Sequence, residues 1–353
     1  MLKTLTLTGT KMGGITITLL GYTKSTHTNY WPWIAFYRVF QHLGYTTEWY
    51  HSLDKIKSVR QKRIYICWGA PDSTQLKSYK EGILVRPGDI IIQKLTSINA
   101  VDGDRNFNWG DNPIEFYKNF DWPPYKRFES MVDQGVNIYA FGCKTRYDIY
   151  PEKRRICEKL KDRIFWIPWG SCLYDWDQLQ KAKPIMSGFK YDLGFVGMKW
   201  GVEGRGNVDS IFNYLDPLVN NYGFKCALKG KGFTRRHVSE RVHKKILQKS
   251  QLCPIINAPS WRAEKGIQDR FWTVFSTGRF GVTDTAGVLE FYNENEVVWS
   301  EDPQEYVDLS LFYHKHLDKQ LPFIEKILKR IKTEYNYFHS WDTIIKTLIK
   351  DQK

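Results

Sequence analysis

Apolar and polar positions follow two patterns in the first half of the chain. Short runs rich in apolar residues predict strands at residues 15–21, 45–50, 64–68, 89–92, 136–141 and 163–167. Apolar residues at helical spacing predict helices at 31–43, 124–134 and 151–161, the first two followed by a glycine that suits a helix end. Strands that alternate with helices are typical of a parallel α/β sheet.

The second half repeats this alternation after a break at residues 174–190, where Pro184 and Gly188 indicate a linker. Strands are predicted at 191–197, 224–228, 252–256, 280–284 and 297–299, and helices at 208–221, 238–248 and 269–278. The tail, 303–350, predicts three helices. The chain of 353 residues is long enough for two domains, each with its own core.

Composition narrows the class of protein. With 42% hydrophobic and 25% charged residues the chain is globular, and no apolar run is long enough to span a bilayer. The N-terminus lacks the apolar core of a signal peptide, so we expect a cytoplasmic protein. The six cysteines, at 67, 143, 157, 172, 226 and 253, form no CxxC pair, which argues against a disulfide framework and a zinc site.

The net charge of +14 indicates an anionic partner, which is a nucleic acid, an anionic membrane surface or a small anionic substrate. The basic residues are dispersed along the chain, whereas binding to duplex DNA favours a continuous basic stripe. Arg270 opens the helix predicted at 269–278, where free backbone N–H groups already favour an anion. The sequence therefore makes a phosphate site at Arg270 a candidate.

Four short motifs of the second half resemble the C-terminal half of GT-B glycosyltransferases, in particular the group-1-like set with the CgeB-type proteins and phage DNA glucosyltransferases. They are Asp-Arg-Phe-Trp at 269–272, Ser-Thr-Gly at 276–278, Val-Thr-Asp at 282–284 and Asn-Glu-Val-Val at 295–298. Pro-Trp-Gly at 168–170 and Asp-Leu-Gly-Phe-Val-Gly at 192–197 also resemble motifs of this family, which close its first domain and open its second.

The resemblance implies two Rossmann-like domains that face each other across a cleft. The domains are then 1–170 on the acceptor side and 191–335 for the nucleotide sugar, joined by a linker at 171–190. A C-terminal helix, 336–353, crosses back to the first domain. In this family the arginine that opens the helix contacts the donor diphosphate, and a glutamate three residues later holds the ribose. Here Thr273 occupies the glutamate position, which departs from the pattern.

Glycosyl transfer needs positive groups or backbone N–H donors around the departing diphosphate. Besides Arg270, the candidates are the members of a glycine-rich loop and one further lysine: Lys199, Gly204, Arg205, Gly206 and Lys265. Glycine lets the backbone approach a phosphate closely. The loop matches neither GxGxxG nor a P-loop, so it predicts neither a dehydrogenase nor an NTPase. Asp284 ends a predicted strand and is a candidate donor contact, and the backbone N–H groups of Thr-Ala-Gly at 285–287 that follow it are expected near the donor sugar. Glu290 is a candidate for binding the hydroxyls of that sugar.

The acceptor hydroxyl needs a base within hydrogen-bond reach. Asp102 and Asp104 lie in a long polar loop after a strand, and His27 lies in the first βα loop, so these three are the candidate bases. Asp102-Gly103-Asp104 has the letters of a DxD metal motif, but its turn-rich setting differs from that of metal-dependent GT-A enzymes. We therefore expect no metal.

The leading hypothesis is a metal-independent hexosyl- or pentosyltransferase that moves a sugar from a UDP- or GDP-sugar to a glycan or other hydroxyl acceptor. One alternative is a glycosyltransferase that acts on a DNA base. A second is a non-enzymatic protein that binds nucleic acid through its basic and aromatic residues. A third is another phosphate-binding α/β enzyme of the same build, such as a sugar epimerase. The nucleic-acid-binding alternative predicts strongly salt-dependent binding and no turnover of nucleotide sugars.

Overall fold

The computed structural model describes residues 14–21, 23, 30–50, 62–67, 88–95, 123–142, 151–168, 170, 175–202, 205–234, 238–263 and 265–350. The chain divides into two compact units. The first unit contains the described residues up to Pro168 together with the helix Tyr337–Lys350. The second unit contains the described residues from 170 to Asn336. Within these ranges, no helix is both long and apolar enough to cross a membrane.

A six-stranded parallel sheet forms the centre of the first unit. Its strands are β1 (Ile15–Leu20), β2 (Thr46–Tyr50), β3 (Lys62–Cys67), β4 (Ile90–Lys94), β5 (Ile138–Gly142) and β6 (Ile164–Trp166). Their spatial order is β2-β1-β3-β4-β5-β6, and every neighbouring pair is parallel. The middle strands are buried on both faces, which explains their nearly continuous apolar sequences. The predicted strands of this half are confirmed.

The helices of the first unit meet in an aromatic core. Its longer helices are α1 (Tyr30–His42), α2 (Pro123–Asp133), α3 (Pro151–Lys159) and the C-terminal helix Tyr337–Lys350. Trp341 of the C-terminal helix is fully buried, with ring centroids 5.1 Å from Phe36, 5.2 Å from Phe40 and 5.1 Å from Phe141. The C-terminal helix therefore completes the core of the first unit.

The second unit contains a smaller parallel sheet. Its strands are β7 (Tyr191–Val196), β10 (Cys226–Lys229) and β11 (Ser250–Leu252), in the order β10-β7-β11. Between β7 and β10 the chain forms a short antiparallel hairpin of β8 (Gly201–Val202) and β9 (Arg205–Gly206), within the predicted glycine-rich loop. The predicted strands at 191–197 and 224–228 are confirmed within two residues at each end.

Two further extended segments continue this sheet beyond β11. Ile255 bridges in parallel to Thr283, and Thr283 bridges to Trp299. Single backbone hydrogen bonds, such as the one that Ile255 N donates to Val282 O at 3.0 Å, link the segments. The strands predicted at 280–284 and 297–299 are thus each reduced to one bridging residue. With these segments the sheet has the order second, first, third, fourth and fifth strand, a common order of doubly wound sheets.

Most helices of the second unit lie where the sequence predicts them. They are α4 (Trp176–Lys181), α5 (residues 208–220), α6 (Glu240–Gln248), α7 (Pro259–Ala263), α8 (Asp269–Ser276), α9 (Pro303–Lys315) and α10 (Leu317–Thr333). The middle of α5, Ile211–Leu215, is a π-helical turn. The predicted break at 174–190 contains α4, and the three predicted helices of the tail are confirmed.

Candidate functional site

The sheet of the second unit has one point where its connections diverge. From β7 the chain goes to β10 on one side, and from β10 it crosses back to β11 on the other side of β7. In open α/β sheets, ligands bind at the carboxyl ends of the strands at such a switch point. Here those ends carry Gly197, directly after β7, and Ile256, just beyond β11.

The side chain of Arg270 lies at this switch point. Arg270 is the second residue of α8, and its Nη1 donates a hydrogen bond to the carbonyl oxygen of Ile256 at 2.6 Å. Its guanidinium carbon lies 4.3 Å from the centroid of the Phe195 ring in β7. A Cβ on Gly197 would overlap Nη2 of Arg270, so the glycine gives the guanidinium its space. The predicted position of Arg270 in the first helical turn is confirmed.

Arg270 keeps its positive charge without a partner of opposite sign. Among the described residues, no carboxylate lies within ion-pair distance of its guanidinium. Burial lowers the pKa of Arg270, and the nearby charges of Asp269 and Asp284 oppose that shift without forming an ion pair with the guanidinium. The positive end of the dipole of α8 adds to this charge. The arrangement is suited to bind an anion.

A second arginine nearby has its charge matched. The carboxylate of Asp284 is fully buried and accepts a hydrogen bond from Nη1 of Arg262 at 2.8 Å. It also accepts from the backbone N–H of Asn257, at 3.0 and 2.9 Å from its two oxygens, and from Nδ2 of Asn257 at 2.6 Å. Burial raises the pKa of Asp284, and these donors oppose that shift. We call Asn257, Arg262 and Asp284 the buried triad.

The buried triad is connected to helix α5. Nη1 of Arg262 also donates to Oγ of Ser210 at 2.8 Å and to the carbonyl oxygen of Asn257 at 3.0 Å. Its guanidinium carbon lies 4.8 Å from the ring centroid of Tyr214. Ser210 and Tyr214 lie on either side of the start of the π-helical turn. The triad therefore ties two strand ends and α5 together beside Arg270.

His243 lies on the α6 side of the same sheet. It precedes Ile246 by one helical turn, and Ile246 packs against Val196 of β7. Since α6 connects two parallel strands, its first turns lie near their carboxyl ends. Among the described residues His243 Nε2, which is closed to solvent, has no hydrogen-bond partner. Burial and then the charge of Arg270 lower the pKa of His243 to about 3, so the imidazole is neutral.

Residues 213–346 match the model of a family described as glycosyl transferase-like. No curated protein matches the sequence. Among solved structures, a DNA-modifying β-glucosyltransferase is 12% identical, with a TM-score of 0.51 over 95% of this chain and 99% of its own. An α-glucosyltransferase solved with UDP and a 13-mer DNA that contains an HMU base is 8% identical, with a TM-score of 0.57 over the same shares of the two chains.

The chain has the fold of the GT-B glycosyltransferases. Identities of 12% and 8% establish the shared fold and nothing finer. The family match covers most of the second unit, in which Arg270 and the buried triad lie. The GT-B fold that the motifs at 269–298 predict is therefore confirmed, and residues 213–346 match a glycosyl transferase-like family model.

The other candidate donor contacts of this GT-B chain are spread over the second unit. Lys199 precedes the β8–β9 hairpin, and its backbone N–H donates to Lys231 O at 2.8 Å. Gly206, with φ 94°, ends the hairpin, where a Cβ would overlap the carbonyl oxygen of Trp200. Arg205 belongs to β9. The tight hairpin therefore requires a glycine at position 206, whether or not Gly206 also contacts a phosphate.

Around α8 the candidates differ in exposure. Lys265 is exposed and adopts φ 49°, and its carbonyl lies against Gly287. Thr273, one turn after Arg270, is 2% exposed. Glu290 is exposed at the end of the short turn Ala286–Glu290. Their roles in donor binding stay predictions.

The backbone after Asp284 was expected to offer N–H groups to a sugar. Ala286 N instead donates to Oε1 of Glu301 at 2.8 Å, and Gly287 N donates to Oγ1 of Thr285 at 3.2 Å. Both N–H groups are therefore engaged within the chain. Asp284 itself is closed to solvent, so its direct contact with a donor sugar also stays a prediction.

Several candidates lie outside the described residues. These are the predicted bases His27, Asp102 and Asp104, the loop residue Gly204 and the side chain of Arg205. Among the residues that the structure does describe, no three His, Cys, Asp or Glu side chains cluster closely enough to hold a metal ion. The expected metal independence stays a prediction.

Sequence reasoning missed Asn257, Arg262 and His243. The segment that contains Asn257 and Arg262 has the composition of a polar turn, and only the position of Asn257 directly after a buried strand marked it. His243 lies within an ordinary amphipathic helix. Its burial beside Arg270 depends on how α6 packs on β7, which no local pattern reports.

Proposed function

We propose that this protein is a glycosyltransferase that moves a sugar from a nucleotide-sugar donor, with UDP or GDP as the nucleotide, to a hydroxyl acceptor without a metal ion. The observation that carries the proposal is the guanidinium of Arg270 at the switch point of the second sheet, which forms an ion pair with no carboxylate in the described part of the chain. A nucleotide sugar brings a diphosphate, which is the anion that such a site accommodates. The family match and the GT-B fold support the same reaction class.

In the proposed reaction the bond between the anomeric carbon and the diphosphate oxygen breaks, and a bond to the acceptor oxygen forms. Negative charge accumulates on the departing diphosphate. Arg270 and the first N–H groups of α8 are fixed before the reaction and stabilise that charge without reorganisation. Lys199, Arg205 and Lys265 are proposed to add positive charge, and Gly204 and Gly206 to let the backbone approach.

The remaining proposed roles are those of the base, the ribose contact and the sugar contact. The acceptor hydroxyl loses its proton to a base, for which Asp102, Asp104 and His27 are the proposed candidates. Thr273 is proposed to take the place of the ribose-binding glutamate of the family, and Glu290 to bind hydroxyls of the sugar. We place the reaction in the cytoplasm.

A glycan or another hydroxyl compound is the proposed acceptor. A hydroxylated DNA base is the second candidate, favoured by the net charge of +14. It is also supported by the two similar structures, one of a DNA-modifying enzyme and one solved with DNA. Assays with UDP-glucose and either hydroxymethylated DNA or oligosaccharides separate the two acceptors.

The test is calorimetric titration of the wild-type protein and Arg270→Ala with UDP and with GDP. Loss of a charge-assisted hydrogen bond to phosphate removes about 1.5–3 kcal/mol, so the variant should bind about 10- to 100-fold more weakly. Arg154→Ala is the matched control, because Arg154 is an exposed arginine on α3 of the first unit. Equal affinity of Arg270→Ala and wild type, or no binding of either diphosphate by wild type, would contradict the proposal.

A further inference from the structure

We propose that Asp284 is a positioning residue: it fixes the strand end whose carbonyl orients Arg270, and so it sets the affinity for the donor diphosphate without touching it. This inference rests on the proposed function, since it assigns Arg270 to the diphosphate. It differs from the expectation that Asp284 lies against the donor sugar. Three features of the chain support it, which are the hydrogen bonds of the Asp284 carboxylate, the neighbours of Asn257 and the contact with Arg262.

The carboxylate of Asp284 is saturated by donors from its own chain. Its two oxygens accept from three groups, which are the backbone N–H of Asn257, Nδ2 of Asn257 and Nη1 of Arg262. All of these distances lie between 2.6 and 3.0 Å, and Asp284 is 0% exposed. A carboxylate in this state has its strongest acceptor directions filled and no open path to a ligand. Its effect on a ligand must pass through the groups that it holds.

The groups that Asp284 holds adjoin the partner of Arg270. Asn257 follows Ile256, the residue whose carbonyl oxygen accepts from Arg270 Nη1. On the other side, the backbone N–H of Asp284 donates to the carbonyl of Ile255 at 3.2 Å. Asp284 therefore forms hydrogen bonds with the residues on both sides of Ile256, which are Ile255 and Asn257. These hydrogen bonds fix the direction of the Ile256 carbonyl, and that carbonyl in turn orients the guanidinium of Arg270.

Arg262 closes the arrangement from outside. It is 17% exposed, and its Nη1 reaches both Asp284 and the carbonyl of Asn257. The residue after Ile256 is thus held at its N–H by Asp284 and at its C=O by Arg262. Because Asp284 forms its ion pair with Arg262, it forms none with Arg270.

The decisive experiment is a double-mutant cycle with Asp284→Asn and Arg270→Ala, with UDP and GDP affinities measured by calorimetry. The amide of an asparagine at position 284 has the shape of the carboxylate but offers one acceptor oxygen to three donors. The hydrogen bonds that hold Asn257 are therefore weakened. Asp284→Asn alone should bind the diphosphate about tenfold more weakly, the effect of one misplaced hydrogen bond to a charged group. In the Arg270→Ala background, the same change should cost less than about twofold, because no guanidinium is left to position.

A merely structural role gives a different pattern. In that case Asp284→Asn lowers affinity by the same factor in both backgrounds, or lowers only stability, and either result overturns the inference. Wild-type binding of UDP or GDP that is weakened by Arg270→Ala would leave the proposed function standing even then. Failure of wild type to bind either diphosphate overturns both. Asn336→Ala is the control for stability loss, since it removes buried hydrogen bonds to Ile331 and Lys332 elsewhere in the second unit.

Two further measurements guard against a variant that does not fold. Arg262→Gln acts on the same carboxylate from its more exposed side and should weaken diphosphate binding in the same way. Hydrogen exchange of the Asn257 amide in the ligand-free protein measures its hydrogen bond to Asp284 directly, because this N–H donates to the Asp284 carboxylate. That amide should exchange at least about tenfold faster in Asp284→Asn. Unchanged protection of the Asn257 amide would overturn the inference whatever the protein binds.

Discussion

Replacement of His243 by leucine should reduce the loss of stability of this protein in mild acid. His243 is half-buried, its Nε2 is closed to solvent, and it lies near the cationic Arg270. Burial, and then the charge of Arg270, lower its pKa from the ordinary value near 6.5 to about 3. The folded chain therefore holds this imidazole neutral across the range in which an unfolded chain protonates it.

The sign and size of the effect follow from linkage. Below pH 6.5 the unfolded state binds a proton at His243 that the folded state does not bind, so stability falls as pH falls. The slope approaches about 1.4 kcal/mol per pH unit, and it ends near the folded pKa of about 3. Between pH 7.5 and pH 5.0 the single group should cost about 2 kcal/mol of unfolding free energy.

Urea unfolding of wild type and His243→Leu at pH 7.5 and pH 5.0 measures this cost. The difference between the two proteins should change by about 2 kcal/mol in favour of the variant at pH 5.0, because contributions of all other groups cancel. The same change at the exposed His316 serves as the control for loss of an imidazole. If wild type and His243→Leu lose the same stability between the two pH values, His243 is not held neutral and the reasoning is refuted.

Two further predictions concern packing. Trp341→Ala should destabilise the first unit by about 3–5 kcal/mol in urea unfolding, because it empties the space between Phe36, Phe40 and Phe141; a loss below 1 kcal/mol would show that the C-terminal helix adds little to that core. Gly197→Ala should weaken UDP or GDP binding by about tenfold in calorimetry, since its Cβ would displace Nη2 of Arg270. Unchanged affinity in Gly197→Ala would show that the diphosphate binds elsewhere.

The strands and helices of this fold can be predicted from the sequence because the apolar pattern of each element reflects which of its faces are buried. Ile90, Ile91 and Ile92 of β4 form an unbroken apolar run because both faces of this strand are covered, and that pattern can be recognised without knowledge of the neighbouring strands. Helix α8 ends before Gly278, which adopts φ 74°, as the glycine predicted. The same local signals placed Arg270 in the first turn of α8, and the structure confirms this.

The environment of that arginine was beyond local reasoning. Asp284 and Asn257 are 27 residues apart, and their hydrogen bonds exist only because two extended segments lie side by side in a particular register. An aspartate after a strand has the same sequence signature whether it faces a ligand or a neighbouring backbone. The expectation that Asp284 lies against the donor sugar used the signature alone. The buried donors around its carboxylate give it a different proposed role.

The comparison of Arg262 with Arg270 shows what the structure adds. Both arginines lie in or beside short helices that follow the same strand end, and the sequence offers no reason to separate them. Arg262 forms an ion pair with a buried carboxylate, so its charge is matched within the chain. Arg270 has a carbonyl oxygen and an aromatic face as partners, neither of which carries a full negative charge. Burying a cation beside neutral groups is costly, and an anionic ligand is the partner that would offset this cost. A diphosphate at Arg270 is therefore indicated by a guanidinium that pairs with no carboxylate among the described residues, and not by the presence of an arginine alone.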